Sequence, residues 1–313
     1  MKICVTGGAG FIGATLVQRL NSAGVEVVVL DDLSTGNRLN LKGLDVDLRI
    51  GSVLDPDSVR DAIKGAHSVV HLAAVPSVAR SLVDPVTSHQ VNAGGTLVVL
   101  EAAREFGAHV ISASSSSVYG RNSRLPKSED MVPMPVSPYA VSKLAAESYT
   151  LAYGSCFGLK SITFRFFNVF GPLQSADHAY AAVIPAFVSA ALRRERLVVH
   201  GDGTQTRDFT FVDSVAQVLL TSAMARTHHD EPVNLAFGGR TSLNELITML
   251  SEILGRTLDV VYLPPRAGDV PHSQAASTTL RRLIPDVETV SLETGLKQTI
   301  GWMESVLRNE VSV

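Results

Sequence analysis

Short runs of β-branched and apolar residues alternate, along the first half of the chain, with longer stretches in which apolar positions recur every three or four residues. The first pattern is that of buried strands, the second that of amphipathic helices, and their alternation predicts βαβ units around a parallel sheet. Strands are predicted at Ile3–Thr6, Val25–Leu30, Asp47–Ile50, Val69–Leu72, Val110–Ala113 and Ile162–Phe167. Helices are predicted at Phe11–Ala23, Pro56–Lys64, Pro85–Phe106 and Ser137–Phe157, with Gly24, Gly107 and Gly158 standing as stop signals. Six strands with helices between them fit a doubly wound α/β sheet.

After residue 168 the rhythm loosens, and Gly201-Asp202-Gly203, Pro264-Pro265 and Gly268-Asp269 mark loops between shorter elements. A smaller C-terminal domain is expected there. Ser242 followed by Glu245 reads as a capping box that opens a helix carrying Leu246, Ile247, Leu250 and Ile253. The expected division is a domain of residues 1–167 with a returning segment near 208–238, and a second domain of 168–207 and 239–313.

Composition narrows the class. With 313 residues, 45% hydrophobic and 18% charged, the chain is long enough for two packed cores and is neither a disordered polyelectrolyte nor a disulfide-stapled scaffold. A net charge of −3 without any Lys/Arg run lacks the footprint of a nucleic-acid binder. The only cysteines, Cys4 and Cys156, have neither CxxC nor metal-ligand spacing, which suits a reducing compartment. Met1-Lys2-Ile3 runs straight into a glycine-rich turn, and no apolar run reaches the ~18 residues of a membrane span. A cytoplasmic protein without membrane or metal partners is expected.

The first strand runs into Thr6-Gly7-Gly8-Ala9-Gly10-Phe11-Ile12-Gly13, and an amphipathic helix follows at once. Glycines in this strand-turn-helix setting let the backbone turn tightly and approach a pyrophosphate, which the helix N-terminus then binds through its N–H groups. The second strand leads into Asp31, placed to accept from the 2′-hydroxyl of NAD and to repel the 2′-phosphate of NADP. Tyr139 and Lys143 are four apart and share a helix face, where an ammonium would favour the phenolate and make Tyr139 a general base. Upstream, Ser114-Ser115-Ser116-Ser117-Val118-Tyr119-Gly120 places hydroxyls at the carboxyl end of a strand, where open α/β sheets bind ligands.

Taken together these features resemble the extended short-chain dehydrogenase/reductase family, in particular its nucleotide-sugar epimerase branch. The matching segments also include His71-Leu72-Ala73-Ala74, Ser137-Pro138-Tyr139-Ala140-Val141-Ser142-Lys143, Arg165-Phe166-Phe167-Asn168-Val169-Phe170-Gly171-Pro172, Arg207-Asp208-Phe209 and Arg266-Ala267-Gly268-Asp269. The resemblance implies a Rossmann-type NAD domain with a smaller C-terminal substrate-binding domain, NAD being held by Gly7, Gly10, Phe11, Ile12, Gly13, Asp31, Leu72, Ala73, Ala74, Asn92, Tyr139 and Lys143. It further implies a UDP-sugar, with a TDP-sugar less favoured, bound by Ser115, Ser116, Asn168, the Val183-Ile184 backbone, Arg207, Arg266, Asp269 and Ser273.

By the same resemblance Tyr139 is the base, Lys143 also holds the nicotinamide ribose, Ser115 bonds the sugar 4-hydroxyl, and the molecule is a homodimer. Dehydratases similar to this chain carry Asp-Glu before Val-Tyr-Gly, and decarboxylases a Glu, because their chemistry needs a carboxylate acid or base. This chain has Ser116 and Ser117, which leaves 4-epimerisation as the implied outcome. A cofactor-exchanging 4-ketoreductase or dehydrogenase and a non-catalytic NAD-binding scaffold are the alternatives. The chain departs from the family at Gly51-Ser52, where members carry Gly-Asp with the Asp reaching adenine. Ser273 matches the position bordering the sugar 2-substituent, and its small size leaves room for an acetamido group. Arg193, Arg194 and Arg196 offer a cation for a 6-carboxylate or simply a solvated helix end.

Overall fold

A computed structural model describes residues 1–176, 182–265 and 271–311. Seven strands form one parallel sheet in the order Val233–Leu235, Ser161–Phe166, His109–Ser115, Ser68–His71, Lys2–Thr6, Glu26–Asp31 and Asp47–Ile50. Strand order reverses between Lys2–Thr6 and Ser68–His71, so a crevice opens at the carboxyl ends of these two strands.

The period of two along each strand sorts its side chains between two cores. Ile3, Val5, Val27 and Val29 face the helices Phe11–Ser22 and Val212–Ala225, while Cys4, Val28 and Leu30 face Pro56–Ile63 and Gly95–Phe106. Burial pushes the Cys4 thiol up to about 12, so it behaves as a small apolar side chain. Arg19 clasps Asp213 through Nε and Nη2, both at 2.6 Å, where the two helices of the first face meet.

Of the six predicted strands, Asp47–Ile50 is present as predicted and five with shifts of one or two residues at their ends, while the seventh, Val233–Leu235, has only three residues and therefore too short a pattern to detect. The stretch expected as one helix, Pro85–Phe106, is broken. Helical chain begins earlier, at Val78–Val83, restarts at Pro85–His89, passes through a π turn over Gln90–Gly94, and runs on as Gly95–Phe106. Asp84 caps the restart by accepting the Thr87 N–H at 3.0 Å. A third core joins the helices Val183–Leu192, Leu243–Leu254 and Leu292–Val311 beside the parallel pair Leu197–His200 and Val260–Leu263. The capping box forms as predicted: Ser242 Oγ accepts from the Glu245 N–H at 3.1 Å, and Glu245 accepts from the Ser242 N–H at 2.7 Å. Among the described residues no helix is long and apolar enough to cross a membrane.

Candidate active site

One cleft of about 1260 Å³ runs along the carboxyl ends of the strands, above the ~300–1,000 Å³ of an ordinary single-ligand pocket. At one end lie Gly7, Gly10, Phe11, Ile12, Gly13 and Asp31; at its middle lie Leu72, Ala73, Ala74, Ser115, Ser116, Tyr139, Lys143 and Asn168. Fourteen of the residues singled out from sequence therefore meet in a single space.

The glycine loop is shaped by close approach. Gly7 has φ +72° and its N–H donates to Leu30 O at 2.8 Å. A Cβ on Gly13 would stand 2.2 Å from Gly7 O, so the helix Phe11–Ser22 can start this close to the strand only without a side chain there. No side chain caps that helix, and its first residues line the cleft. The Asp31 carboxylate is buried and holds the loop from below, accepting the N–H groups of Ala9 and Leu33, both at 2.9 Å. An uncapped helix start beside a glycine cradle fits a dinucleotide pyrophosphate, and a carboxylate at the end of the second strand fits the adenosine ribose. At the departure from the family pattern, Ser52 Oγ accepts the Leu54 N–H at 3.2 Å and stabilises its own turn, while Gly51 and Val53 line the cleft.

The chemical end is built where the strand His109–Ser115 meets the helix Pro138–Phe157. Ser137 caps this helix by accepting the Ala140 N–H at 3.2 Å, and Pro138 starts it. Three residues of one helix stripe, Tyr139, Lys143 and Glu147, face the end of this strand. Tyr139 lines the cleft with Ser115, Lys143 Nζ donates to Ala113 O at 2.8 Å, and Ser114 Oγ donates to Glu147 at 2.7 Å. Ser115 Oγ also accepts from Ser117, from its N–H at 3.2 Å and from its Oγ at 2.8 Å.

One electrostatic expectation is corrected. The Lys143 ammonium sits on a main-chain carbonyl, and burial raises the Tyr139 phenol above its ordinary value; only the Ser115 hydrogen bond acts in the lowering direction. Desolvation sets the direction for Tyr139, and it also pushes Lys143 itself down to about 8. Lys143 thus reaches neutrality within the working range of an enzyme.

Asn92 stands behind the cleft wall, outside the lining. Its carboxamide accepts the Val75 N–H at 2.7 Å and donates to Val75 O at 3.2 Å and to Ser142 Oγ at 3.0 Å. It positions the Ala73–Val75 loop, and further in His71 bridges Thr6 Oγ1 at 2.7 Å and Thr96 Oγ1 at 3.0 Å. Burial pushes His71 down to about 3, so this bridge is neutral.

The second domain supplies less of the cleft than expected. Ile184 is packed into the third core, and neither it nor Val183 lines the cleft; their helix contributes Ser189 and Arg193, with Ala182 just before it. Arg207 also stays outside the lining, its Nη1 donating to Thr206 O at 3.0 Å and Pro271 O at 3.2 Å, because the segment is tied to its neighbours by main-chain pairing. Ser273 is part of that pairing through its N–H to Thr206 O at 3.0 Å. Arg266 and Asp269 lie outside the described residues. Residues that sequence reading passed over also line the cleft, including Arg80, Gln174 and Trp302. Glu147 carried a legible signal, one turn beyond Lys143, while Trp302 belongs to a distant helix and carried none.

Residues 3–236 match the model of the NAD dependent epimerase/dehydratase family. The chain belongs to this family. NAD dependence comes with membership, and the glycine loop and Asp31 fit it. The UDP-glucose 4-epimerase of Mycolicibacterium smegmatis is 36% identical over 307 residues, covering 96% of this chain and 97% of its own. Among solved structures, the UDP-N-acetylglucosamine 4-epimerase of Methanobrevibacter ruminantium in complex with UDP-N-acetylmuramic acid superposes with a TM-score of 0.93 at 35% identity, covering 97% of this chain and 98% of its own. The UDP-glucose 4-epimerase of Thermotoga maritima with UDP-glucose also gives 0.93 at 35% identity, covering 98% of this chain and 100% of its own.

Proposed function

We propose that the protein is an NAD-dependent UDP-sugar 4-epimerase acting on a UDP-hexose or a 2-acetamido or uronic acid relative. The observation that carries this is the meeting of Ser115, Tyr139 and Lys143 in one cleft with the glycine loop and Asp31, at a strand end where Ser116 and Ser117 stand in place of carboxylates. Bound NAD supplies a hydride acceptor and donor. Tyr139 takes the proton of the sugar 4-hydroxyl, and Ser115 hydrogen-bonds the same oxygen. Lys143, bonded to Ala113 O, is the residue that would hold the nicotinamide ribose. With no carboxylate beside carbon 5, the 4-keto sugar is left to receive the hydride on its other face, and cleft walls such as Trp302 keep water from it.

The UDP-sugar position is proposed to lie between the serine end and the second domain, with Arg207, Arg266, Asp269 and the Val183-Ile184 backbone on its nucleotide side and Ser273 by the sugar 2-substituent. The division into 1–167 with 208–238 and 168–207 with 239–313 follows the same reading. A homodimer is supported by exposed Leu82, Val83 and Val86 on short helices that pack against the helix Pro138–Phe157, which itself exposes Val141 and Tyr149. Free thiols at Cys4 and Cys156 suit a cytoplasmic setting. The test is incubation with a panel of UDP-sugars without added cofactor, product stereochemistry being read by NMR. A 4-epimer of at least one sugar is expected. Turnover only with added NADH would make the protein a reductase, and no turnover with bound NAD would make it a scaffold.

A further inference from the structure

Four hydrogen bonds behind the cleft wall run in one line through His71, and the direction of each is fixed by its neighbour. Thr96 Oγ1 lies 2.6 Å from Asn92 O, and a carbonyl only accepts, so the single Thr96 proton is spent there. The 3.0 Å bond between Thr96 Oγ1 and His71 Nε2 is therefore donated by the ring, which places the ring proton on Nε2. Burial, helped by the Lys143 ammonium, keeps the ring uncharged, so Nδ1 is bare and accepts the Thr6 hydroxyl at 2.7 Å. The Thr6 oxygen keeps its lone pairs for the Ala73 N–H at 3.3 Å. With the proton on Nδ1 instead, Nε2 and Thr96 Oγ1 would meet lone pair to lone pair, and the Thr6 proton would have no acceptor among the described residues. Thr6, His71, Asn92 and Thr96 are all buried, so bulk water does not replace a bond lost there.

The line ends at the cofactor side of the cleft. Ala73 lines the cleft, and it abuts the glycine loop so closely that a Cβ on Gly7 would stand 2.7 Å from its nitrogen. At the other end of the same loop the Val75 N–H is held by Asn92 Oδ1 at 2.7 Å. Asn92 Nδ2 in turn donates to Ser142 Oγ at 3.0 Å, and Ser142 donates to Tyr139 O at 2.8 Å. We propose that His71, as its neutral Nε2–H tautomer, is a positioning residue: it turns the Thr6 hydroxyl so that its oxygen receives the Ala73 N–H, and so fixes Ala73 and Ala74 against the dinucleotide. The inference rests on the reading that Ala73 and Ala74 hold NAD. His71 is not part of the cleft lining and acts through Thr6.

Two measurements separate the tautomer from its consequence. In cofactor-free protein carrying nitrogen-15-labelled histidine, the ring shifts of His71, assigned by their loss in His71→Leu, should show a protonated Nε2 and a bare Nδ1 at pH 7. A proton on Nδ1, or on both nitrogens, overturns the proposal and leaves the NAD contact standing. Cofactor-stripped protein is then titrated with NAD and with UDP. Thr6→Val keeps the shape and removes the hydroxyl, and it should weaken NAD about five- to tenfold, the worth of one hydrogen bond, with UDP affinity unchanged. Thr6→Ser should restore NAD. Thr6→Val and His71→Leu together should weaken NAD no more than the worse single variant, since both act through one bond; additive losses overturn the role of His71. The expected tautomer with NAD affinity unmoved in Thr6→Val overturns the contact of Ala73 with NAD, and the positioning role falls with it. An equal fall for NAD and UDP, not restored by Thr6→Ser, is general loosening and overturns the role as well. Should Thr6→Val fail to fold, Thr6→Cys, a weak donor and acceptor, reads the same NAD-to-UDP ratio.

Discussion

Glu147 and Arg165 face each other as a two-pronged ion pair, Nη2 to Oε1 at 2.6 Å and Nε to Oε2 at 3.0 Å, with both side chains 3% exposed. Ser114 adds a third bond to the same carboxylate, and the Arg165 guanidinium lies over the Tyr119 ring at 4.7 Å. The pair thus joins the strand Ser161–Phe166, the serine-bearing strand and the helix of Tyr139 and Lys143. A buried pair of this kind adds little over apolar packing but is costly to break, because the survivor remains charged and dry.

Arg165→Met should therefore destabilise the protein by ~3–5 kcal/mol, whereas adding Glu147→Leu to it should recover much of the loss. Urea denaturation of the two variants and the wild type measures this directly. A single variant within ~1 kcal/mol of wild type would mean that the pair is not what anchors the serine end.

Asp31 has a double role in the structure. It accepts two main-chain N–H groups that shape the glycine loop, and it lines the cleft where a ribose hydroxyl would arrive. Asp31→Asn keeps an acceptor but removes the charge that repels a 2′-phosphate. The preference for NAD over NADP should narrow by about tenfold or more, as befits one charge-assisted contact. Titration of cofactor-stripped protein with each dinucleotide gives the ratio, and equal losses for both would place the ribose elsewhere.

Tyr139→Phe should lower turnover by at least the ~100-fold characteristic of a lost general base, with UDP affinity preserved. Since burial holds the phenol high, wild-type kcat/KM should rise with pH until the phenol ionises, and the variant should lose that limb. Full activity in the variant would remove Tyr139 from the mechanism.

The inner strands of the sheet were readable because they are buried on both faces and rich in β-branched residues. The glycine loop, Asp31 and the Tyr139/Lys143 pair were readable because each is a local pattern within eight residues or fewer. What escaped was set by tertiary context. Val233–Leu235 is a strand only because Ser161–Phe166 offers it an edge, and the break at Gln90–Gly94 accompanies the tethering of Asn92 to Val75. Asn92 was expected in the cleft and lies behind it, because its carboxamide is used on the protein's own backbone. The lowered Tyr139 pKa was inferred from a spacing that cannot report dehydration. Trp302 lines the cleft from nearly the far end of the chain, which no local pattern anticipates.

Lys143 sets function against stability. Its ammonium is almost fully buried, with one protein partner described, Ala113 O, and burial pushes it from 10.5 down to about 8. Below pH 8 the lysine is charged in both folded and unfolded protein, and the folded state bears the whole dehydration cost. Between pH 8 and 10.5 the folded protein has released its proton while the unfolded chain keeps it, so wild-type stability rises with pH across this window. Lys143→Met removes the charge and keeps the bulk. At pH 7 it should be more stable than wild type by ~1–3 kcal/mol, the shift of about 2.5 units less the lost bond to Ala113. That advantage should shrink as pH rises from 8 toward 10.5. Turnover should fall sharply at every pH if Lys143 holds the nicotinamide ribose as proposed. Chemical denaturation of cofactor-free protein at pH 7 and pH 10 gives both signs. A variant that is less stable than wild type at pH 7, or whose difference does not change between the two, would show that Lys143 is not held under a dehydration penalty.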